Sequence, residues 1–503
     1  MAVRKETGLS GMKRLLMWAS VAALVLSALP LYAIAPYNHP YYDDYGFSAP
    51  VRHAWQQTGS LGAALSAAWQ AARNTRMTWQ GTYTGTLLSN LQPGVFSEEW
   101  YFLSSFFLLT AFIGCFLFFF STAFGALGLD GRTRASLGCL AVALMLQLMP
   151  DAGEAFYWFN GGVGNTFIYS LMALAAALLI RLCLSRSRAC AVALMAALCV
   201  LMALLGGGSY GGGLFGLCML GLATVAAFAR RHPKRACFAA LFALFLGCFV
   251  YSMCAPGNAV RADRIGYQGS AVKAVAQSLY YGVAQMGGYI RLPLIAITLA
   301  VAPFLYGAAR RSRFSFRHPW LALGLMAAVY CTQLTPPLYS IAGIGAGRIV
   351  NTYFQSFVAL WFLYMYYLAG FAARRLKGRA LPTLTPRAYG ALLLTSACLL
   401  GVGCLGVKPD GEPLYGVQNL NGVSAAISIA TGEAKQYDIE MTRREALLND
   451  ASQPVVTLTP LTAVPDVFMD DLVTPDAEYD VRPSLCLYYG KEAIRIEGEA
   501  AAP

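Results

Sequence analysis

The sequence predicts an all-α polytopic membrane protein with about eleven transmembrane helices, a long first external loop and a small external α/β domain at the C-terminus. Three observations predict it. Of 503 residues, 57% are hydrophobic and 12% charged, with mean hydropathy +0.52. Apolar runs near 20 residues recur along the chain, long enough to cross a hydrocarbon core of about 30 Å. The charge also splits near residue 407. Residues 1–406 carry 30 Lys and Arg against 9 Asp and Glu, net +21, whereas residues 407–503 carry 7 against 16, net −9. A basic membrane module, 1–406, is therefore joined to an acidic domain, 407–503.

Eleven spans are expected near 14–35, 101–128, 136–150, 162–180, 189–206, 213–229, 236–254, 289–309, 320–341, 351–373 and 388–406. The third is short for a crossing. Between them the loops alternate in charge. "RKETGLSGMKR", "DGRTR", "RLCLSRSR", "RRHPKR", "RRSRFSFR" and "ARRLKGRALPTLTPR" hold 22 of the module's 30 basic residues. The positive-inside rule makes this side cytoplasmic. The reading is a multi-pass protein of a cytoplasmic membrane, N-terminus inside and acidic domain outside. The bases thus answer to the bilayer, and no nucleic-acid partner is needed to explain the pI of 9.1. "YAIA", 32–35, resembles a signal-peptide cleavage site, but the preceding run is long enough to be a retained anchor. Twelve of the 13 cysteines are scattered in apolar segments with no CxxC pair, which argues against disulfide or zinc frameworks.

The module's nine acids are Glu6, Asp43, Asp44, Glu98, Glu99, Asp130, Asp151, Glu154 and Asp263. Seven fall on the expected external side, although orientation rules do not ask for acids there. Asp43 and Asp44 open the loop 36–99, which is too long for a simple connection. Within it, residues 49–79 read as an amphipathic helix. Trp55, Leu61, Leu65 and Trp69 recur on one face, suited to lying in the membrane interface or capping the bundle. A second external segment, "MPDAGEAFYWFNGGVGNTF", places Asp151 and Glu154 one helical turn apart beside Trp158 and Asn160. A third, "CAPGNAVRADRIGYQ", puts Arg261 and Arg264 after Asn258. A fourth, "GIGAGRIVN", carries Arg348 into the next span. Arginine forks suit phosphate oxygens, and Trp158 could stack on a sugar or belong to a headgroup belt.

"YYDDYGF", "WQGTY", "EAFYWFNGG", "APGNAVR" and the terminal "LCLYYGKEAIRI" together resemble an uncharacterised family of polytopic bacterial membrane proteins. That family is grouped with the GT-C class of membrane glycosyltransferases. The order of first span, acid-opened external loop, further spans and external C-terminal domain is similar to that class as well. The resemblance covers nearly the whole chain. It implies inverting transfer of a sugar from a polyprenyl-phosphate-linked donor to a glycan, lipid or protein acceptor. It also implies that an acid of the first external loop acts as catalytic base or metal ligand, here Asp43 and Asp44. Mg or Mn is the implied cofactor if that acid holds a metal.

Sugar transfer to a hydroxyl needs a base near the acceptor oxygen and charge stabilisation at the leaving phosphate. The candidate substrate-binding residues are His39, Tyr42, Trp79, Glu154, Trp158, Asn160, Asn258, Arg261, Arg264 and Arg348. Side chains of consecutive residues diverge, so Asp43 and Asp44 are expected to take different jobs, in an order the residues leave open. The alternatives are a transporter or flippase of a lipid-linked saccharide and a non-catalytic envelope assembly protein. A transporter more often shows inverted repeats, and no clear repeat is seen. The tail reads as a helix over 421–448 followed by an extended, Pro-interrupted stretch. It has no histidine and suits a cap over the external face.

Overall fold

The structure is a computed structural model describing residues 2–267, 269–377, 379, 385–402, 406–407, 413–414 and 417–498. It is an all-α membrane protein with almost no sheet. After α1 (Ala2–Ile34), the segment 35–102 carries α2 (Asp43–Thr58), α3 (Leu61–Thr78) and α4 (Tyr83–Ser89). Next come α5 (Leu103–Ala126) and α6 (Gly131–Gln147), then the short α7 (Phe159–Gly164) before α8 (Thr166–Leu184). Three helices, α9 (Arg188–Gly206), α10 (Tyr210–Ala229) and α11 (Arg235–Met253), form an up-and-down series with α8. The bundle continues with α12 (Pro256–Ile265), α13 (Ala271–Tyr289), α14 (Leu292–Arg311), α15 (Pro319–Thr332), α16 (Thr335–Ile341), α17 (Gly347–Arg375) and α18 (Pro386–Val402). The tail holds α19 (Asn421–Thr431), α20 (Glu433–Asn449) and α21 (Arg482–Tyr489), with strands Val455–Leu458 and Ala493–Ile496 paired in parallel.

Among the described residues, nine stretches are long and apolar enough to cross a membrane. They are carried by α1, α5, α8, α9, α10, α11, α14, α15–α16 and α17. The expected third and eleventh spans form α6 and α18, at 17 residues each. α6 packs against α1 and α5 with most of its length buried, polar residues at its start and Gln147 at its end. Residues 403–405, at the end of the expected eleventh span, and 408–412, opening the tail, lie outside the described residues. Two expected single helices are each two. Residues 49–79 break at Gly59 (φ +60°), after which Ser60 caps α3 through the Ala63 N–H. Residues 421–448 break at Gly432 (φ +83°). A left-handed glycine ends a helix without disturbing the apolar spacing on either side, so periodicity alone reads through it. The stretch between the expected spans ending at 254 and starting at 289 is also helical, as α12 and α13. Val272, Val275, Leu279, Tyr280 and Val283 of α13 are exposed.

The bundle has a basic end and an acidic end. At the basic end Lys13 meets Asp130 (2.7 Å), Lys234 meets the Ser185 carbonyl (2.7 Å), Arg374 meets the Phe314 carbonyl (2.9 Å) and Tyr366 meets the Leu127 carbonyl (3.0 Å). At the other end Asn38 bonds the Tyr157 carbonyl (2.6 Å), Asn351 the Asp151 carbonyl (2.7 Å) and Ser252 the Gly81 carbonyl (2.8 Å).

Aromatic side chains of α5, including Phe112, Phe116, Phe120 and Phe124, pack with α6 and α17 in the central core. A second core lies at the acidic end. Tyr45, Ala49, Val51, Ala64 and Ala68 of α2 and α3 pack with Leu448, Val456, Leu458, Leu485, Tyr488 and Ile494 of the tail. Each fully buried Val, Leu or Ile there contributes about 1.5–3 kcal/mol. Arg52 of α2 joins in, bonding Glu98 (2.9 Å) and Asn449 (2.7 Å) under the Tyr488 ring. The tail and the segment 36–99 thus share one core.

Candidate functional site

The chain leaves α1 through a 3-10 turn, Ala35–Tyr37, and Asn38 pins it to Ser105 (3.0 Å) and to the Tyr157 carbonyl. Tyr42 then turns the backbone with φ +39° and ψ −102°, a positive-φ conformation a tyrosine adopts only under constraint. Asp43 and Asp44 form the first turn of α2, where the helix dipole favours acids.

The two neighbours have different surroundings. Asp44 is fully buried and accepts three hydrogen bonds: from the Tyr101 hydroxyl (2.5 Å), the Asn160 N–H (3.0 Å) and the Tyr41 N–H (3.1 Å). Tyr101 in turn accepts the Phe159 N–H (3.1 Å). Asp44 therefore ties the start of α2 to α5 and α7. Burial pushes its carboxyl up to about 7, against the pull of those donors. A pKa near neutrality would suit a base, but both oxygens are taken and the group is enclosed. Geometry decides before pKa.

Asp43 is half-buried and accepts no hydrogen bond from any described residue. Burial raises its carboxyl above the usual range, while the nearby Arg348 and Arg261 guanidinium groups pull it back down. Arg348 is oriented by Glu154, which accepts from its Nη1 (3.0 Å) and from its backbone N–H, and it lies 5.0 Å over the Trp158 ring. Gly347 precedes it at a point where a Cβ would stand 2.2 Å from Asp151 Oδ2, so the approach requires glycine. The Asp151 carboxyl is pushed up to about 6 by burial and by the charge of Glu154.

Arg261 arrives from α12. Its guanidinium lies 5.1 Å over the Trp79 ring and donates to Gln80 Oε1 (3.1 Å). Asn258 holds α12 to the "WQGTY" segment with all of its amide. Its Oδ1 accepts from the Gly81 N–H (3.1 Å) and the Tyr210 hydroxyl (2.6 Å), and its Nδ2 donates to the Ser252 (3.1 Å) and Met253 (2.8 Å) carbonyls. Asn258 therefore has no group left for a substrate and acts by position.

Three buried donors around this point lack an acceptor among the described residues: Trp158 Nε1, Asn160 Nδ2 and Arg261 Nε. Buried donors are rarely left unpaired, so this cluster is suited to an oxygen-rich ligand.

The structure thus gathers Asp43, Asp44, Glu154, Trp158, Asn160, Arg261 and Arg348, with Trp79 and Asn258 as supports. Tyr42 lies at the edge, its ring 5.5 Å from Tyr479 of the tail. Arg264 is exposed, 5.9 Å from the Trp79 ring. His39 stands apart from the arginines. It bonds Glu445 (2.8 Å) and Asp438 (2.9 Å) of α20, and so joins the first loop to the tail. The expected cation held by both aspartates does not fit this arrangement, because Asp44 is saturated by protein donors and Asp43 faces two arginines. Among the described residues no group of three or more His, Cys, Asp and Glu is placed to hold a metal.

Sequence reasoning missed Tyr101, Tyr41 and Tyr479. Tyr101 lies two residues before α5 with no motif around it, and Tyr41, whose ring meets Trp158 at 5.6 Å, lies in "YYDDYGF" without an assigned role. No family model, curated protein or solved structure matches this chain.

Proposed function

We propose that this protein is a membrane glycosyltransferase of the GT-C type. In this reading it moves a sugar from a polyprenyl-phosphate-linked donor to a cell-surface glycan, lipid or protein acceptor on the external face of a bacterial cytoplasmic membrane. One observation carries the reading. A carboxylate that accepts no hydrogen bond among the described residues, Asp43, lies beside two arginines and a set of unpaired donors, at the bundle end opposite the basic loops.

Asp43 takes the proton of the acceptor hydroxyl as that oxygen attacks the anomeric carbon. The bond from that carbon to the phosphate oxygen breaks, and the phosphate leaves with the electron pair. Arg261 and Arg348 meet the developing charge, which in a partly buried site is worth more than in water. Trp158 and Asn160 offer donors to sugar hydroxyls. Asp44 and Glu154 act as positioning residues, for the start of α2 and for Arg348. The tail, sharing a core with the first loop, keeps that loop over the bundle.

The test is transfer from a synthetic polyprenyl-phosphate sugar by purified protein, together with the cell-surface glycan of producing cells. Asp43→Asn and Arg261→Ala are expected to abolish transfer while protein levels hold. Transfer at the wild-type rate by properly folded Asp43→Asn protein would overturn the reading.

A further inference from the structure

We propose a second ligand site at the basic end: a cavity between α5, α14 and α17 that takes the head of an anionic phosphate-bearing lipid. The cavity measures about 490 Å³ and is lined by Leu127, Arg311, Phe314, Phe316, Leu363 and Tyr366, among others. Ligand pockets are typically about 300–1,000 Å³, apolar and with few polar groups.

The wall is built rather than incidental. The strand of chain between α14 and α15 folds back as a roof, with Phe316 at φ +49° and its buried ring laid on Gly370, where a Cβ would stand 2.5 Å away. Arg374 spends its guanidinium on the Ser312 and Phe314 carbonyls, and the Tyr367 hydroxyl accepts the His318 N–H (3.2 Å). Phe314, Phe316 and Tyr367 stack edge-on within 6 Å of one another, at 4.9, 5.4 and 5.9 Å.

Charge sets the occupant. Arg311 lines the cavity and has no protein acceptor among the described residues. Arg134 lies against Gly125 at the end of α5, and Arg230 lies 5.9 Å from the Phe314 ring. The loops 127–134, 182–188, 230–235, 310–318 and 374–387 hold 17 Lys and Arg and a single acid. That acid, Asp130, is already bonded to Lys13 and Thr133. Among the described residues of these loops, no acid is left to pair with Arg311. An orientation signal alone accounts for the arginines but not for an aromatic-walled hollow beneath them. Basic pockets between transmembrane helices suit anionic lipid heads.

The same chemistry has two sources in a membrane, an anionic phospholipid and a polyprenyl phosphate. Native mass spectrometry of the full-length protein released from detergent distinguishes them, with phosphatidylglycerol, polyprenyl phosphate or zwitterionic phosphatidylcholine added separately. An anionic-lipid adduct is expected at concentrations where phosphatidylcholine gives none, and whichever anionic lipid binds more tightly identifies the source. Arg311→Ala is expected to weaken that adduct roughly tenfold. Ala126→Trp, which fills the cavity from an exposed position without changing charge, is expected to abolish it. Equal adducts for all three lipids would overturn the site. So would an adduct that Ala126→Trp leaves intact.

Discussion

His39 offers a direct measure of how firmly the tail is held to the first loop. It is 8% exposed, and its two ring nitrogens meet Asp438 and Glu445 of α20. Burial works against its charge, but the two carboxylates outweigh it and raise the imidazole from 6.5 to about 9. The group is raised above its unfolded value, so its contribution is complete below pH 6.5 and is lost as pH rises through 9. The rise corresponds to about 3 kcal/mol. Removing one partner of a buried pair costs about 3–5 kcal/mol, which agrees. Both carboxylates raise it, Asp438 and then Glu445, and Glu445, at 11% exposed, is the less screened by water of the two. The perturbation is His39→Ala, and the assay is hydrogen exchange of the α20 amides, corrected for intrinsic rates, from pH 6 to pH 10. Wild-type α20 is expected to lose protection worth about 3 kcal/mol across that window. The variant is expected to start at the lower protection and stay level. Equal protection of α20 in the two proteins at pH 6 would refute the argument, as would a pH dependence that survives the substitution.

Two further substitutions bear on the candidate site. Asp44→Asn leaves one accepting oxygen for three donors, which orphans the N–H of Tyr41 or Asn160 at a cost of about 1–3 kcal/mol. SDS-unfolding curves at pH 4 should show it, and the gap should narrow as pH rises from about 4 to about 7, where the unfolded carboxyl of the wild type ionises while the buried one keeps its proton, and stay level above that. Gly347→Ala forces a Cβ onto Asp151 and displaces Arg348. In the proposed function this lowers sugar transfer by about 10²-fold with little change in expression, as a shift of about 1 Å at a positioned group does.

The motif residues around Asp43 could be picked out because they are unusual where they stand. Acids and arginines beside apolar spans are expensive, and Trp158, Asn160, Arg261 and Arg348 do surround the pair. Their separate jobs could not be read. Asn258 looked like a ligand-binding amide, yet its donors and acceptors are all spent on Gly81, Tyr210, Ser252 and Met253. His39 looked like part of the site because it lies four residues from Asp43, yet its partners are 399 and 406 residues away. The acidic tail looked separate because its charge changes sign at 407. Its apolar residues nevertheless complete the core under α2 and α3.

By itself the sequence determined that this chain is a helical membrane protein and that its bases and acids lie on alternate loops. Hydropathy and charge act locally, residue by residue against bilayer and water, and need no knowledge of neighbours. Only the tertiary structure decided which aspartate is which. Asp44 is committed by Tyr101 and Asn160, 57 and 116 residues on. Asp43 is left open because no described residue comes to pair it, and two arginines from α12 and α17 stand nearby instead. Consecutive carboxylates are chemically identical in the chain. What separates them is the set of donors that the fold brings within hydrogen-bonding distance.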